Sequence, residues 1–378
     1  ETAIKWIENK MNKKMNTILK TEGKDYVIAS DTDSIYLHMG DLVEAVYKGR
    51  EKTTEGIVSF LNKVCEVELE PYIESSYQEL ADYVNAYDQK MIMKRENIAS
   101  TGIWTAKKRY ILNVWDSEGV RYEDAKLKIM GIEAIKTSTP APCRKFLKDA
   151  FKLLMNGTED EVIDYIEECR TEFKSLPPEE IAFPRSVSNV EKWKSPSDMY
   201  LKGCPIHVRG AILYNHYTKK KEIDHKYSAI NNGEKIKFCY LKTPNWMHEN
   251  VISFIQDFPT ELDLDKHVDY DLQFSKSFIE PLKAILDSIK NPRELSYDLI
   301  NAQFARRSID YLFGMGISPL LWGIGIRKGS AGRVQSPALK MIVEREEAIR
   351  KFIPQEYWSL NANFTKDKKA IMKLAMRI

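Results

Sequence analysis

The chain has 378 residues, of which 43% are hydrophobic and 30% charged, and its formal net charge is +2. That length is enough for two or three domains with their own cores, and no apolar run reaches the roughly 20 residues of a membrane span. The near-neutral balance means that overall basicity does not call for nucleic acid, so local clusters must make that case.

Residues 2–20 place Ile4, Ile7, Met11, Met15 and Ile18 at helical spacing, with a basic outer face. Residues 26–30 and 35–39 are rich in strand formers and bracket Asp31-Thr32-Asp33, which predicts a hairpin. Two helices are predicted over 53–70 and 74–87. From 91 to 133 the chain reads as a meander of strands, with Ser117-Glu118-Gly119 as a turn. Ser138-Thr139-Pro140 is a helix start, and helices are predicted over 140–156 and 159–174. The block 177–290 carries mixed signals and a basic loop at Lys219-Lys220-Lys221, then a helical pattern over 272–290 with Pro281 inside. Asn291-Pro292 reads as a linker. Beyond it come an amphipathic stretch, a Gly-rich basic stretch (GIGIRKGSAGRVQS) and a charged helix.

The five cysteines form no CxxC pair and their number is odd, as for reduced thiols in a cytoplasmic protein. The histidines show no HExxH spacing, so no zinc site is expected. The first twenty residues are not those of a secretory leader. Residue 1 is Glu, and the chain reads as a piece of a longer protein.

Asp31 and Asp33 raise the sharpest chemical question. On an extended strand, residues i and i+2 face the same side, so both carboxylates are expected on one face of the hairpin tip. Two like charges so placed repel unless a cation neutralises them. A hard divalent ion with oxygen ligands is the natural partner, and Mg2+ favours sites shared with phosphates. An isolated Asp-x-Asp is also what an ordinary solvated turn presents, with each Asp capping its own backbone.

SDTDSIY resembles the YGDTDS signature of family B DNA polymerases, with Ser30 where Gly is usual. Downstream, WTAKKRYILNVWDSEG and LKIMGIEAIKTSTP are similar to that family's KKRY and K-x-x-G motifs, in the form found in T4-type bacteriophages. CPIHVRGAILYN (204–215) and IKFCYLKTPNW (236–246) resemble thumb segments of the same group. The likeness runs from residue 1 to about 290.

The resemblance implies an α+β palm with an antiparallel sheet (1–135) and a mostly helical thumb (136–290). It makes Asp33 a principal ligand of two Mg2+ ions and Asp31 its acidic neighbour, with Thr32 and Ser34 shaping the turn. Lys107, Lys108, Arg109 and Tyr110 are expected at the primer-template, with Lys126, Lys128 and Lys136 as a second basic strip that tracks the backbone. His207 and Arg209 fall in a thumb motif, although a packed His and a surface Arg fit the sequence as well. The second metal carboxylate, a fingers helix for the incoming deoxynucleoside triphosphate and an exonuclease domain do not occur in this chain. This piece alone is therefore expected to be inactive until an N-terminal polymerase half completes it.

The last part changes character. SYDLINAQFARRSIDYLFGMGISPLLW and GSAGRVQSPALKMIVEREEAIRKFIPQEYWSL resemble type IA DNA topoisomerases. That likeness implies that Arg333 and Gln335 lie by single-stranded DNA, with Arg306 and Arg307 on a nearby helix, in a small helical segment over 291–378. Gly329 and Gly332 allow close backbone approach, and Arg333 can grip a phosphate near a helix N-terminus. The metal domain and the tyrosine nucleophile of that family have no counterpart here, because Tyr311 and Tyr357 stand in other motifs. T4-type polymerases end in a short apolar tail that docks on the sliding clamp. Tyr311-Leu312-Phe313 could mimic such a tail but fits the topoisomerase pattern better. The expected function is the C-terminal part of a DNA-directed DNA polymerase. The alternatives are a topoisomerase fragment and a non-catalytic DNA-binding module.

Overall fold

The computed structural model describes residues 2–195, 199–292, 294, 296–326, 329–354, 359–366 and 370–377. Its contacts divide the chain into two compact units, Glu1–Pro292 and Arg293–Ile378. Each combines helices with antiparallel strands, an α+β arrangement. No described helix is long and apolar enough to cross a membrane.

The first unit opens with α1 (Thr2–Leu19), which buries Ile7, Met11 and Met15 completely. Ile7 and Met11 meet Leu69, Ile73 and Tyr77, while Met15 meets Tyr26 and Leu42. Ile18 is 43% exposed, so the apolar stripe ends a turn earlier than its spacing predicts. A hairpin follows, β1 (Val27–Asp31) and β2 (Ser34–Leu37), then a short α2 (Gly40–Val46).

The two helices predicted over 53–87 are one continuous rod. It consists of α3 (Thr54–Val64), a π-turn at Cys65–Leu69 and α4 (Glu70–Tyr83). The Glu70 N–H reaches the Cys65 carbonyl five residues back, immediately before Pro71. Proline has no N–H and its ring crowds the carbonyl four residues earlier. The wider turn re-sets the ladder at that point, so the helix continues without a break.

The meander is β3 (Asn97–Ala106), β4 (Arg109–Ser117) and β5 (Val120–Met130), paired in that order. It begins at Asn97 rather than at Met91. The predicted helix pair is α5 (Ala141–Asn156) and α6 (Glu159–Ser175), the latter opened by a Thr158–Glu161 capping box.

The stretch expected to be mostly helical carries a sheet of its own. After α7 (Pro178–Ile181) come β6 (Phe183–Ser186), α8 (Val190–Trp193), α9 (Ile206–Lys220), β7 (Lys235–Tyr240) and β8 (Val251–Phe254). The three strands pair antiparallel in the order β6-β7-β8. All four residues of β8 are buried, so it lacks the alternation that marks a strand in sequence. Gly210 lets α9 lie directly on β8, since a Cβ there would stand 2.4 Å from Ser253 Oγ. The unit closes with α10 (Tyr270–Phe274), a second π-turn at Ser275–Ile279 and α11 (Glu280–Lys290). Pro281 repeats the arrangement at Pro71, with Glu280 N–H bonded to the Ser275 carbonyl. One large core, including Phe146, Phe151, Phe254, Phe274 and Phe278, joins these elements.

The second unit contains α12 (Tyr297–Gly323) and α13 (Gln335–Lys351), followed by β9 (Ser359–Lys366) and β10 (Ala370–Arg377). The antiparallel β9–β10 hairpin adds strands to what was expected as a small helical segment. Tyr357 lies outside the described residues.

Candidate functional site

In the β1–β2 hairpin Asp31 pairs with Ser34, which leaves Thr32 and Asp33 as a two-residue turn. The two carboxylates therefore do not face one side by strand alternation. Asp31 closes a strand and Asp33 sits in the turn itself, its N–H bonded to the Asp31 carbonyl. Thr32 takes φ +43°, a left-handed value that hairpin turns require and that a β-branched residue rarely adopts. The Thr32 hydroxyl donates to Asp31 Oδ1 at 3.0 Å, and the Ser34 hydroxyl to the Asp31 carbonyl at 3.1 Å. Both hydroxyls thus bond back to Asp31. Asp33 is exposed.

The KKRY segment is not a continuous strand run. Lys107 and Lys108 form the tight turn between β3 and β4, with Lys108 at φ +59°, and only Arg109 and Tyr110 lie on β4. Tyr110 is buried, 8% exposed, and its ring packs 5.6 Å from Tyr36 on β2 and 6.3 Å from Trp104 on β3. Tyr36 and Trp104 meet edge to face at 5.3 Å. Burial and a hydrogen bond with Tyr110 push the Tyr36 phenol above its usual range. This aromatic cluster fastens the acidic hairpin to the meander. As a result Lys108 Nζ stands 3.6 Å from Asp31 Oδ1, and the acidic turn and the basic turn become neighbours.

Gly131 explains the glycine of the K-x-x-G motif. It has φ +66°, and a Cβ there would lie 2.2 Å from the Lys108 carbonyl oxygen. Only glycine lets the chain after β5 pass so close under the basic turn.

Arg109, Lys128 and Lys136 are held by acids that the motifs do not include. Arg109 and Lys136 share Glu133, at 2.7 and 2.8 Å. Burial opposes ionisation of Glu133, but Lys136, its own backbone and Arg109 together hold its carboxyl below the usual range. Lys128 pairs with Glu96 and lowers its carboxyl in the same way. Lys126 lies over the Tyr122 ring at 4.0 Å.

His207 and Arg209 are on α9. The His207 ring lies 6.4 Å from Phe238, and burial and Arg185 lower its pKa. Arg209 bonds to Asn250 and lies over the Tyr200 ring at 5.5 Å. Both therefore have partners within the protein.

Among the described residues, no group of three or more His, Cys, Asp or Glu side chains could hold a metal ion. The hairpin offers carboxylate oxygens from two residues, the donor type a hard divalent ion takes, but not a full set.

In the second unit, Arg333 Nε stands 2.7 Å from Asp310 Oδ1 on α12, and Arg306 Nε 3.9 Å from Asp310 Oδ2. The hydrogen bond from Arg333 lowers the Asp310 carboxyl. Arg306 and Arg333 line an open groove of about 680 Å3 with Ala302, Ala305, Ile309 and Val334. Ala331 N–H donates to Ser318 Oγ at 3.1 Å, which ties the glycine-rich loop to α12. Gln335 begins α13 and its amide donates to Ser330 Oγ at 3.3 Å. Arg307 stands on α12 beside Arg306. Tyr311, Leu312 and Phe313 lie inside α12 and are exposed.

Comparison with known proteins finds two kinds of relative. The DNA-directed DNA polymerase of Escherichia phage RB69 is 34% identical over 304 residues, which are 77% of this chain and 33% of that protein. The DNA-directed DNA polymerase of Enterobacteria phage T4 is 29% identical over 326 residues, 83% of this chain and 35% of that protein. A DNA topoisomerase family model matches residues 294–377. DNA topoisomerase 1 of Xylella fastidiosa (strain Temecula1 / ATCC 700964) is 57% identical over 83 residues, 22% of this chain and 10% of that protein. The chain thus spans about a third of the length of its polymerase relatives.

Proposed function

We propose that this chain, whose homologues over most of its length are phage DNA polymerases and whose end matches a DNA topoisomerase family, supplies the C-terminal part of a DNA-directed DNA polymerase. In this reading residues 1–135 are the palm, 136–290 the thumb and 291–378 a topoisomerase-like appendage. A primer 3′-hydroxyl attacks the α-phosphate of a deoxynucleoside triphosphate, a new phosphodiester forms and pyrophosphate leaves. Two Mg2+ ions would serve the attacking and the leaving oxygens. Asp33 is the principal ligand and Asp31 its neighbour. A further carboxylate must come from an N-terminal half, which would also bring the fingers and exonuclease domains.

The observation that carries this reading is the juxtaposition of Lys108 with Asp31 at 3.6 Å. It puts a turn suited to metal beside a turn suited to the phosphate backbone of the primer-template. Lys107 and Lys108 reach DNA from the turn, while Tyr110 supports from below. Arg109, Lys128 and Lys136 exchange their acidic partners for phosphates when DNA arrives.

The Arg306–Asp310–Arg333 groove and the family match favour a second reading for residues 294–377 alone, a DNA-contacting surface of topoisomerase type. Primer extension with Mg2+ and deoxynucleotides, after a phage-type polymerase N-terminal half is added, separates the two. The polymerase reading predicts template-directed extension and no detergent-resistant protein–DNA adduct. An adduct without extension would replace it with topoisomerase chemistry. DNA binding with neither would leave a binding module. A sliding clamp as partner would show as clamp-stimulated extension that is lost on changing Tyr311-Leu312-Phe313.

A further inference from the structure

A two-stranded hairpin is marginal by itself in water, and the β1–β2 pairing slips between Val27 and Ala29. Something outside the hairpin must fix the height of its acidic turn. The aromatic cluster grips β2. The grip on β1 comes from the side chain of Asn12 on α1. Its Oδ1 accepts both the Tyr26 N–H and the Val27 N–H at 2.8 Å. Its Nδ2 donates to Asp25 Oδ1 at 2.9 Å. One turn later Asn16 repeats the device on the connecting loop. Its Oδ1 accepts from Lys24 N–H at 3.1 Å and from the Thr21 hydroxyl at 2.8 Å, and its Nδ2 donates to the Lys24 carbonyl at 2.7 Å.

We infer that Asn12 is a positioning residue for the acidic turn: by holding the two backbone N–H groups at the root of β1, it sets where Asp31 and Asp33 present their carboxylates. The inference rests on the polymerase reading for its catalytic consequence. The geometry explains why an amide serves here. Two backbone donors converge on one acceptor oxygen, while the adjacent Asp25 carboxylate needs a donor, and a carboxamide meets both needs from two separate atoms.

The test uses the full 378-residue chain with an added N-terminal polymerase half. Asn12→Ala is expected to speed amide exchange at Tyr26, Val27 and the turn residues 31–34. It is also expected to lower kcat for extension by roughly tenfold to a hundredfold, the scale of a 1 Å misplacement, with primer-template Kd unchanged. The reciprocal variant Asn12→Asp/Asp25→Asn keeps an acceptor at 12 and moves the donor to 25. It is expected to restore both exchange protection and kcat, whereas Asn12→Asp alone is not. The inference falls if Asn12→Ala leaves exchange at residues 31–34 unchanged. It also falls if the reciprocal variant stays as impaired as Asn12→Asp, a comparison that holds even where Asn12→Ala does not fold. A wild-type chain that never extends overturns the polymerase reading and, with it, the catalytic role of Asn12, and the exchange data then report only a structural fastening.

Discussion

Thr32 holds a left-handed φ of +43° at the centre of the acidic turn. For a β-branched residue such a conformation costs of order 1–3 kcal/mol, and strain of this kind gathers at functional sites. The Asp-x-Asp pattern was legible in the sequence as a hairpin tip, because β-rich runs flank it. Its detailed geometry was not, since alternation along a strand says nothing about a residue that sits in the turn. KKRY shows the same limit: four consecutive residues divide between turn and strand, so Lys108 points at the site and Tyr110 points into the core. Lys108→Ala is expected to weaken primer-template binding and to reduce its salt slope by about one. An unchanged slope, read from binding titrations at several salt concentrations, places Lys108 away from DNA. Gly131→Ala would drive a Cβ into the Lys108 carbonyl, and overpacking of this kind costs about 1–3 kcal/mol. A denaturant midpoint equal to wild type would contradict that close approach.

A predicted helix break at Pro71 and a predicted helix through Pro281 turn out to be one device, a π-turn whose last bond is made by the Glu before the proline. Hydrophobic periodicity located both helices but could not reveal the extra residue that absorbs the proline. The β4–β5 hairpin is pinned in a different way. Asp116, 1% exposed, binds Arg95 and accepts from Arg121 Nε at 3.3 Å and Gly119 N–H at 3.1 Å. Arg121 also donates to Ser59 on α3 at 3.0 Å. Burial raises the Asp116 carboxyl, but Arg95, Gly119 and Arg121 together bring it below its ordinary value of 3.8. Because the folded value is the lower one, the cluster stabilises fully above the unfolded value and loses that contribution as pH falls through the folded value. Asp116→Asn leaves Arg95 without its buried partner and is expected to cost about 3–5 kcal/mol at neutral pH. It should also flatten the acid dependence of stability below about pH 4. Urea unfolding from pH 7 to pH 2 checks both, and an identical acid limb in wild type and variant would refute the assignment.

At the scale of the molecule the two units differ in how they are held. The first is knit by the large aromatic core. In the second, no described residue of α12 or α13 is buried, and Phe304, Leu312, Trp322, Leu339 and Ile342 are all exposed. Helices without covered apolar faces open at low free energy. Limited proteolysis of the intact chain is therefore expected to cut within 296–354 before it cuts the first unit. Equal resistance would show that the second unit has more support than its own packing gives. Two unlike sets of motifs meet near residue 290, and the contacts part at Pro292 and Arg293. The sheet β6-β7-β8 was not legible in the sequence, because its strands are short and β8 does not alternate.

The central claim is that the acidic turn carries catalytic metal, and Asp33→Ala tests it most directly. Primer extension and primer-template affinity should be measured side by side for wild type and variant, each completed by a phage-type N-terminal half. The account predicts that extension is lost while DNA affinity stays within about twofold, since a metal ligand contributes to the transition state and not to grip on the duplex. Extension that persists in Asp33→Ala would show that the turn is an inherited structural feature and that the metal site lies elsewhere.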